Sequence, residues 1–212
     1  MWPNGWSVVN GAQVNQWHVG TATAHTGSQS AYISNDGGTT NAYTINSTSI
    51  VHMYRDIEFP AGTNPFKLEF SWKGEGEGTA WDRMRVYLVQ TSVNPTAGTE
   101  LSSADQIGLT NYNVQADWTT EEIELDALTY AGNNWRLVFS WRNDGTAGTQ
   151  PPIAVDDISV TEIQIPTVEF TEIDPEYEIG ADIEVTARVY SNGLIDDLCG
   201  VGYEIYHEDV LI

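Results

Sequence analysis

The chain has a single cysteine, Cys199, in 212 residues. One thiol forms no internal disulfide, so a disulfide-stapled scaffold is excluded and stability must come from a packed core or a bound metal. Basic residues are scarce too: 8 Lys and Arg stand against 30 Asp and Glu, a formal net charge of −22. A phosphate backbone or an anionic lipid surface needs a basic footprint, which argues against nucleic acid and membrane surfaces as partners. No run of 18 apolar residues occurs, so no segment is expected to insert in a membrane as a helix. No window sustains a 3.6-residue apolar period, so helices are expected to contribute almost nothing. The start, Met1-Trp2-Pro3-Asn4-Gly5, carries no signal peptide, and a secretion signal is expected to lie outside this chain.

Hydrophobic residues make up 41% of the chain, enough for a core, while charged residues are only 18%. The polar surface must therefore come largely from Thr, Ser, Asn, Gln and Gly, as in many secreted β-proteins. Eight Trp and ten Tyr are many for this length. Such rings fill sandwich cores, and exposed ones stack on sugars. The surplus of acid has two readings: simple solubility, or carboxylates gathered on cations.

Strand signals recur between Gly, Asn and Asp clusters. They fall at residues 6–10, 30–34, 50–59, 66–73, 83–90, 118–125, 134–142 and 153–163. Phe66, Leu68, Phe70 and Trp72 share one face, and Trp135, Leu137, Phe139 and Trp141 share another. At least eight strands with spacings longer than hairpins predict an all-β, two-sheet jelly-roll sandwich. Composition shifts after Ile165-Pro166: residues 1–165 hold 18 acids and 7 bases, whereas 166–212 hold 12 acids and 1 base. Residues 1–165 are expected to form the jelly roll. Residues 166–212, with strand signals at 167–173, 182–191 and 202–212, are expected to start an immunoglobulin-like domain that is cut short of the usual seven strands. Its open edge would pair with a neighbouring domain or subunit.

The segment Ile153-Ala154-Val155-Asp156-Asp157-Ile158-Ser159-Val160 places two acids inside an apolar strand. Neighbouring strand residues point to opposite faces, so one acid would face the interior or a loop. An unpaired carboxylate there is costly. A hard cation with oxygen ligands would satisfy it, as would backbone amides or an arginine. With Val155 facing the core, alternation puts Asp157 on the same side and Asp156 opposite.

Four segments in order resemble the cleaved-adhesin, or choice-of-anchor J, family of Bacteroidetes surface proteins, whose sandwich is related to MAM and carbohydrate-binding jelly rolls. They are Trp2-Pro3-Asn4-Gly5-Trp6-Ser7-Val8-Val9-Asn10, His25-Thr26-Gly27-Ser28-Gln29-Ser30-Ala31-Tyr32, Leu68-Glu69-Phe70-Ser71-Trp72-Lys73 and the Asp156-Asp157 strand. The resemblance covers residues 2–163. It implies a non-catalytic adhesion or binding module of a larger secreted, cell-surface bacterial protein, directed at a surface glycan or protein and carrying structural calcium. Ca2+ is thus expected at Asp156 or Asp157. The other candidate ligands are Asn35 and Asp36 on a Gly-rich loop, and Glu75 and Glu77 with Asp82; both groups also read as plain turn or solvated loop. Asn143-Asp144-Gly145 reads as a turn only.

Trp17, Trp81 and Trp118 lie near strand ends or loops and are the candidates for a sugar-stacking surface, with rim packing as the plainer reading. Two rival roles stay open: a carbohydrate-binding module of a secreted hydrolase, and a subunit of an extracellular filament or surface layer. Catalysis finds little support. Glu122 and Glu124 alternate with Ile123 and Leu125, so the acids belong on the outer face rather than across a cleft. No HExxH, no Gly-x-Ser-x-Gly elbow and no phosphate loop occurs.

Overall fold

Strict alternation drives the long strands. Every second residue of 66–73 and of 134–142 is apolar, and the pleat sends those side chains to one side. In the structure, a computed structural model, residues 5–78 and 80–165 are described, together with the backbone of 167–170, 187–190, 206–207 and 210–211. Ten strands build the first unit: β1 (Ser7–Val9), β2 (Gln16–Gly20), β3 (Ser30–Ser34), β4 (Ser49–Glu58), β5 (Phe66–Gly74), β6 (Arg83–Gln90), β7 (Gln106–Tyr112), β8 (Gln115–Leu125), β9 (Asn134–Asn143) and β10 (Ala154–Glu162). The one α-helix among the described residues, α1 (Ala127–Tyr130), is a single turn capped by Asp126.

Two five-stranded antiparallel sheets form a sandwich, with orders β1-β4-β9-β6-β7 and β2-β3-β10-β5-β8. Neighbours in space are rarely neighbours in sequence, which is the signature of a jelly roll rather than a meander. Phe70 of β5 meets Phe139 of β9 edge-on at 5.1 Å, and Trp72 meets Tyr112 at 5.1 Å and 90°. Such edge-to-face pairs add roughly 0.5–1.5 kcal/mol each beyond burial. The core also takes in Trp17, Val51, Met53, Met84, Leu137 and Trp141.

The outer face of the first sheet is covered. Residues 91–102 cross it as a strap. Gly98 N donates to Ile50 O at 2.8 Å. His52 Nε2 lies 3.1 Å from both Thr96 O and Thr99 O. Glu100 accepts from Arg83 at 2.9 Å, Arg142 at 2.9 Å and Arg85 at 3.5 Å. Beneath the strap Tyr87, Val89 and Val138 form a second small core against Tyr54 and Leu101.

The chain divides into two compact units, Met1–Ile163 and Gln164–Ile212. In the second unit, β11 (Thr167–Phe170) pairs antiparallel with β12 (Ala187–Tyr190), and β13 (Tyr206–His207) with β14 (Val210–Leu211). The expected immunoglobulin-like start falls mostly outside the described residues. Two strands escape the sequence reading, β2 and β7. The first is only five residues long. The second is broken by Gly108 at φ +70, where a Cβ would strike Ile123 and the Tyr112 hydroxyl.

Candidate functional site

With Phe66, Leu68, Phe70 and Trp72 in the core, the pleat turns Lys67, Glu69, Ser71 and Lys73 outwards on the second sheet. The register sets Ser71 opposite Thr120 and Asp156, and Glu69 opposite Glu122. Lys67 bridges Glu69 at 2.8 Å and Glu122 at 3.1 Å. Half-buried Trp118 stands on this face. Its ring lies 5.5 Å from the His25 ring, and Lys73 Nζ sits 5.3 Å from its centroid. Among the described residues, the loop carrying His25 and Thr26 reaches over the β10 strand of this sheet.

That loop is latched by the Asp156-Asp157 pair. Asp156 Oδ2 accepts from His25 N at 2.8 Å and Thr26 N at 3.2 Å, and its Oδ1 accepts from Asp157 N at 2.9 Å. Asp157 Oδ2 lies 2.7 Å from His25 Nδ1, and its Oδ1 accepts from the Thr26 hydroxyl. Burial works against the charge of Asp157, but the Thr26 hydroxyl and the His25 ring outweigh it and hold its carboxyl below the ordinary value. The alternation argument for this pair is corrected by the backbone. Register shifts between Asp156 and Ser159, and Asp157 takes a left-handed φ of 51°. The extra residue of the bulge keeps both carboxylates off the core, while Val155 and Ile158 both pack inwards. Two of the segments quoted for the family resemblance, the His25 and Asp156 stretches, thus meet in space.

The second group of candidate ligands converges. Glu77, Asp82 and Asp144 each offer a carboxylate oxygen within 4.8 Å of the others. The loop joining β5 to β6 supplies the first two, and Asn113 clamps it by donating to Glu77 O at 2.6 Å and Asp82 O at 3.1 Å. Asp82 is fully buried and accepts from the Tyr43 hydroxyl at 2.7 Å and from Asp144 N at 3.0 Å. A Cβ at Gly148 would collide with that hydroxyl and come within 2.7 Å of Asp82 Oδ2. Glu77 Oε2 is buried with no hydrogen-bond partner among the described residues. Burial, then the charges of Asp144 and Asp82, push the Glu77 carboxyl up. Burial also pushes Asp82 up, against the pull of the Tyr43 hydroxyl and the Asp144 amide. Glu75 is not part of this group; its backbone ties it to Pro151 and Val114. Asp144 was legible only as a turn residue, and it is one: its Oδ1 accepts from Thr146 N at 3.0 Å.

The remaining candidates take structural places. Asp36 accepts from the Ser34 hydroxyl, the Thr40 amide and hydroxyl and the Thr39 amide, which hold its carboxyl at about 2. Asn35 donates to Thr44 Oγ1 at 2.9 Å. This is an Asx turn with its acceptors filled. Trp17 is corrected outright: it is 0% exposed, in the core, with its indole N–H donating to Val51 O. A ring with no accessible surface stacks on no ligand. Trp81 is 49% exposed, with the Arg142 guanidinium 5.8 Å from its ring. Glu122 and Glu124 are exposed, while Ile123 and Leu125 face inwards.

No protein-family model and no curated protein matches the chain. Similar solved structures include the enzymatically active domain of tailspike protein 4 of bacteriophage CBA120, at 14% identity and a TM-score of 0.46 over 75% of this chain and 19% of that one. The CBM22-1 xylan-binding domain of Xyn10C from Paenibacillus barcinonensis is 13% identical, with a TM-score of 0.44 over 76% of this chain and 86% of that one. TmCBM61, solved with β-1,4-galactotriose, is 12% identical, with a TM-score of 0.43 over 74% and 88%. The chain therefore spans about a fifth of the tailspike domain. Among the described residues no helix is long and apolar enough to cross a membrane.

Proposed function

We propose that this chain is a non-catalytic, extracellular glycan-binding module of the adhesion type, and that the outer face of the second sheet is its binding face. One observation carries the reading: Trp118 stands half-buried on the outer face of the second sheet between His25 and Lys73, beside exposed Thr120. An indole offers an apolar plane to the C–H face of a sugar ring, and the surrounding polar groups can fix its hydroxyls. The opposite face cannot do this, because the 91–102 strap fills it. A printed glycan array read with the whole chain tests the reading. Binding to at least one glycan class, weakened about tenfold or more by Trp118→Ala, is expected. A folded protein that binds no glycan would overturn it.

The expected calcium finds a better home at Glu77, Asp82 and Asp144 than at Asp156 and Asp157. The latch pair has every carboxylate oxygen engaged by a donor from its own chain. The partly buried cluster holds three acids together, with Glu77 Oε2 orphaned among the described residues. Two oxygens on one calcium ion at about 2.4 Å can be no more than about 4.8 Å apart, and the cluster meets that limit. Calcium there would neutralise the mutual repulsion and brace the loops following β5 and β9; it would perform no chemistry.

A further inference from the structure

Lys73 differs from the other cations. Of the seven Lys and Arg in the described part of the first unit, Lys67, Arg83, Arg85, Arg136 and Arg142 are ion-paired. Lys73 and Arg55 have no carboxylate at ion-pair distance among the described residues, and only Lys73 stands on the face that carries Trp118. A free ammonium in a chain of net charge −22 should capture the nearest acid. Three acids of the adjoining 35–41 loop and β10 strand are engaged elsewhere. Asp36 is saturated by Ser34, Thr39 and Thr40, and Asp156 and Asp157 by the His25-Thr26 loop. The Trp118 ring holds Lys73 Nζ in place through a cation–π contact at 5.3 Å.

Lys73 also lines a shallow, open polar cavity of about 290 Å³ with Ala22, Thr23, Thr39, Thr40, Asn41 and Pro151. Its walls offer the hydroxyls of Thr23, Thr39 and Thr40. Lys73 thus joins an aromatic plane to a hydroxyl-lined cavity.

We propose that the glycan bound on this face carries a carboxylate: Lys73 pairs with a uronic-acid residue seated in the cavity, next to a sugar stacked on Trp118. This rests on the glycan-binding reading above. The surrounding negative charge disfavours a polyanion, so the acid would be one substituent of a largely neutral chain. The distant charges are screened in salt while the close pair is not, and selectivity should persist at 0.15 M salt.

The test uses the whole chain on an array of neutral, uronic-acid-bearing and sulfated glycans. Affinities for the strongest uronate and its neutral counterpart are then measured by calorimetry. The uronate form should bind about tenfold tighter, the usual worth of one charge-assisted contact. Lys73→Met should bring the uronate-to-neutral affinity ratio to about one, whatever it does to neutral binding through the Trp118 contact, and Lys73→Arg should keep the ratio. Equal or tighter binding of the neutral form, a preference confined to sulfated glycans, or a preference that survives Lys73→Met would each overturn the carboxylate assignment. The glycan-binding reading survives all three, and fails only if no glycan binds at all.

Discussion

With calcium at the proposed Glu77-Asp82-Asp144 site, chelation should destabilise the first unit, and the acid cluster sets both the size and the pH dependence of the effect. A ligand that binds only the folded state at a hundred times its dissociation constant stabilises by about 2.7 kcal/mol. For a unit of 163 residues (Met1–Ile163), about 2–4 °C of melting temperature follows from each kcal/mol. A rise of about 5–10 °C in excess calcium over chelator is therefore expected by scanning calorimetry. The metal-free sign also follows. Glu77 and Asp82 have folded pKa values raised above their ordinary ones. A raised acid contributes its stability below the unfolded pKa, near 4, and loses it as pH climbs through the folded value. In chelator the melting temperature should thus climb as pH drops into that window. In calcium, which favours the ionised acids, the trend should invert, and Glu77→Gln should remove most of the calcium response. A midpoint indifferent to calcium at pH 7.5, with the same pH slope in both buffers, would refute the reasoning.

Other outcomes follow from particular contacts. His52 is fully buried, and burial lowers its pKa; its neutral ring donates to the strap, so stability complete above about pH 6.5 should decline as pH falls below that, and His52→Gln should flatten the slope in urea titrations. Phe139→Ala, at the crossing with Phe70 and Trp6, should cost about 3–5 kcal/mol in denaturant unfolding; a loss under 1 kcal/mol would mean the sheets do not meet there. Asp156→Ala removes the acceptor of three amides, two of them in the His25-Thr26 loop, so hydrogen exchange at His25 and Thr26 should accelerate while β5 stays protected; unchanged exchange would show that the latch is held elsewhere.

The long strands were legible because their pattern is locally complete: the even residues from Phe66 to Trp72 and the odd ones from Trp135 to Trp141 announce a buried face without reference to anything distant. The polar clusters were not. Glu77 and Asp144 lie on separate loops and meet only after β5 and β9 have taken their places in opposite sheets. Nothing near Asp144 distinguishes a turn residue from one that also faces two other acids. The Asp156-Asp157 pair misleads differently. Counting by twos assumes an unbroken ladder, and the bulge at Asp157 inserts one residue. Of the two alternatives to a cation that the sequence left open, backbone amides describe Asp156 in the structure. Trp17 escaped because β2 is too short for its alternation to stand out from the flanking glycines.

The Glu100 hub has a consequence for how this sequence can change. One carboxylate there holds three guanidiniums, those of Arg83, Arg85 and Arg142. Losing it would leave three like charges crowded under a strap that had lost its anchor, so position 100 is not free to vary alone. The four residues can be exchanged together for an apolar set, or kept together. Piecemeal replacement passes through intermediates that repel their own covering. The hub therefore behaves as one inherited unit spread over sixty residues of chain.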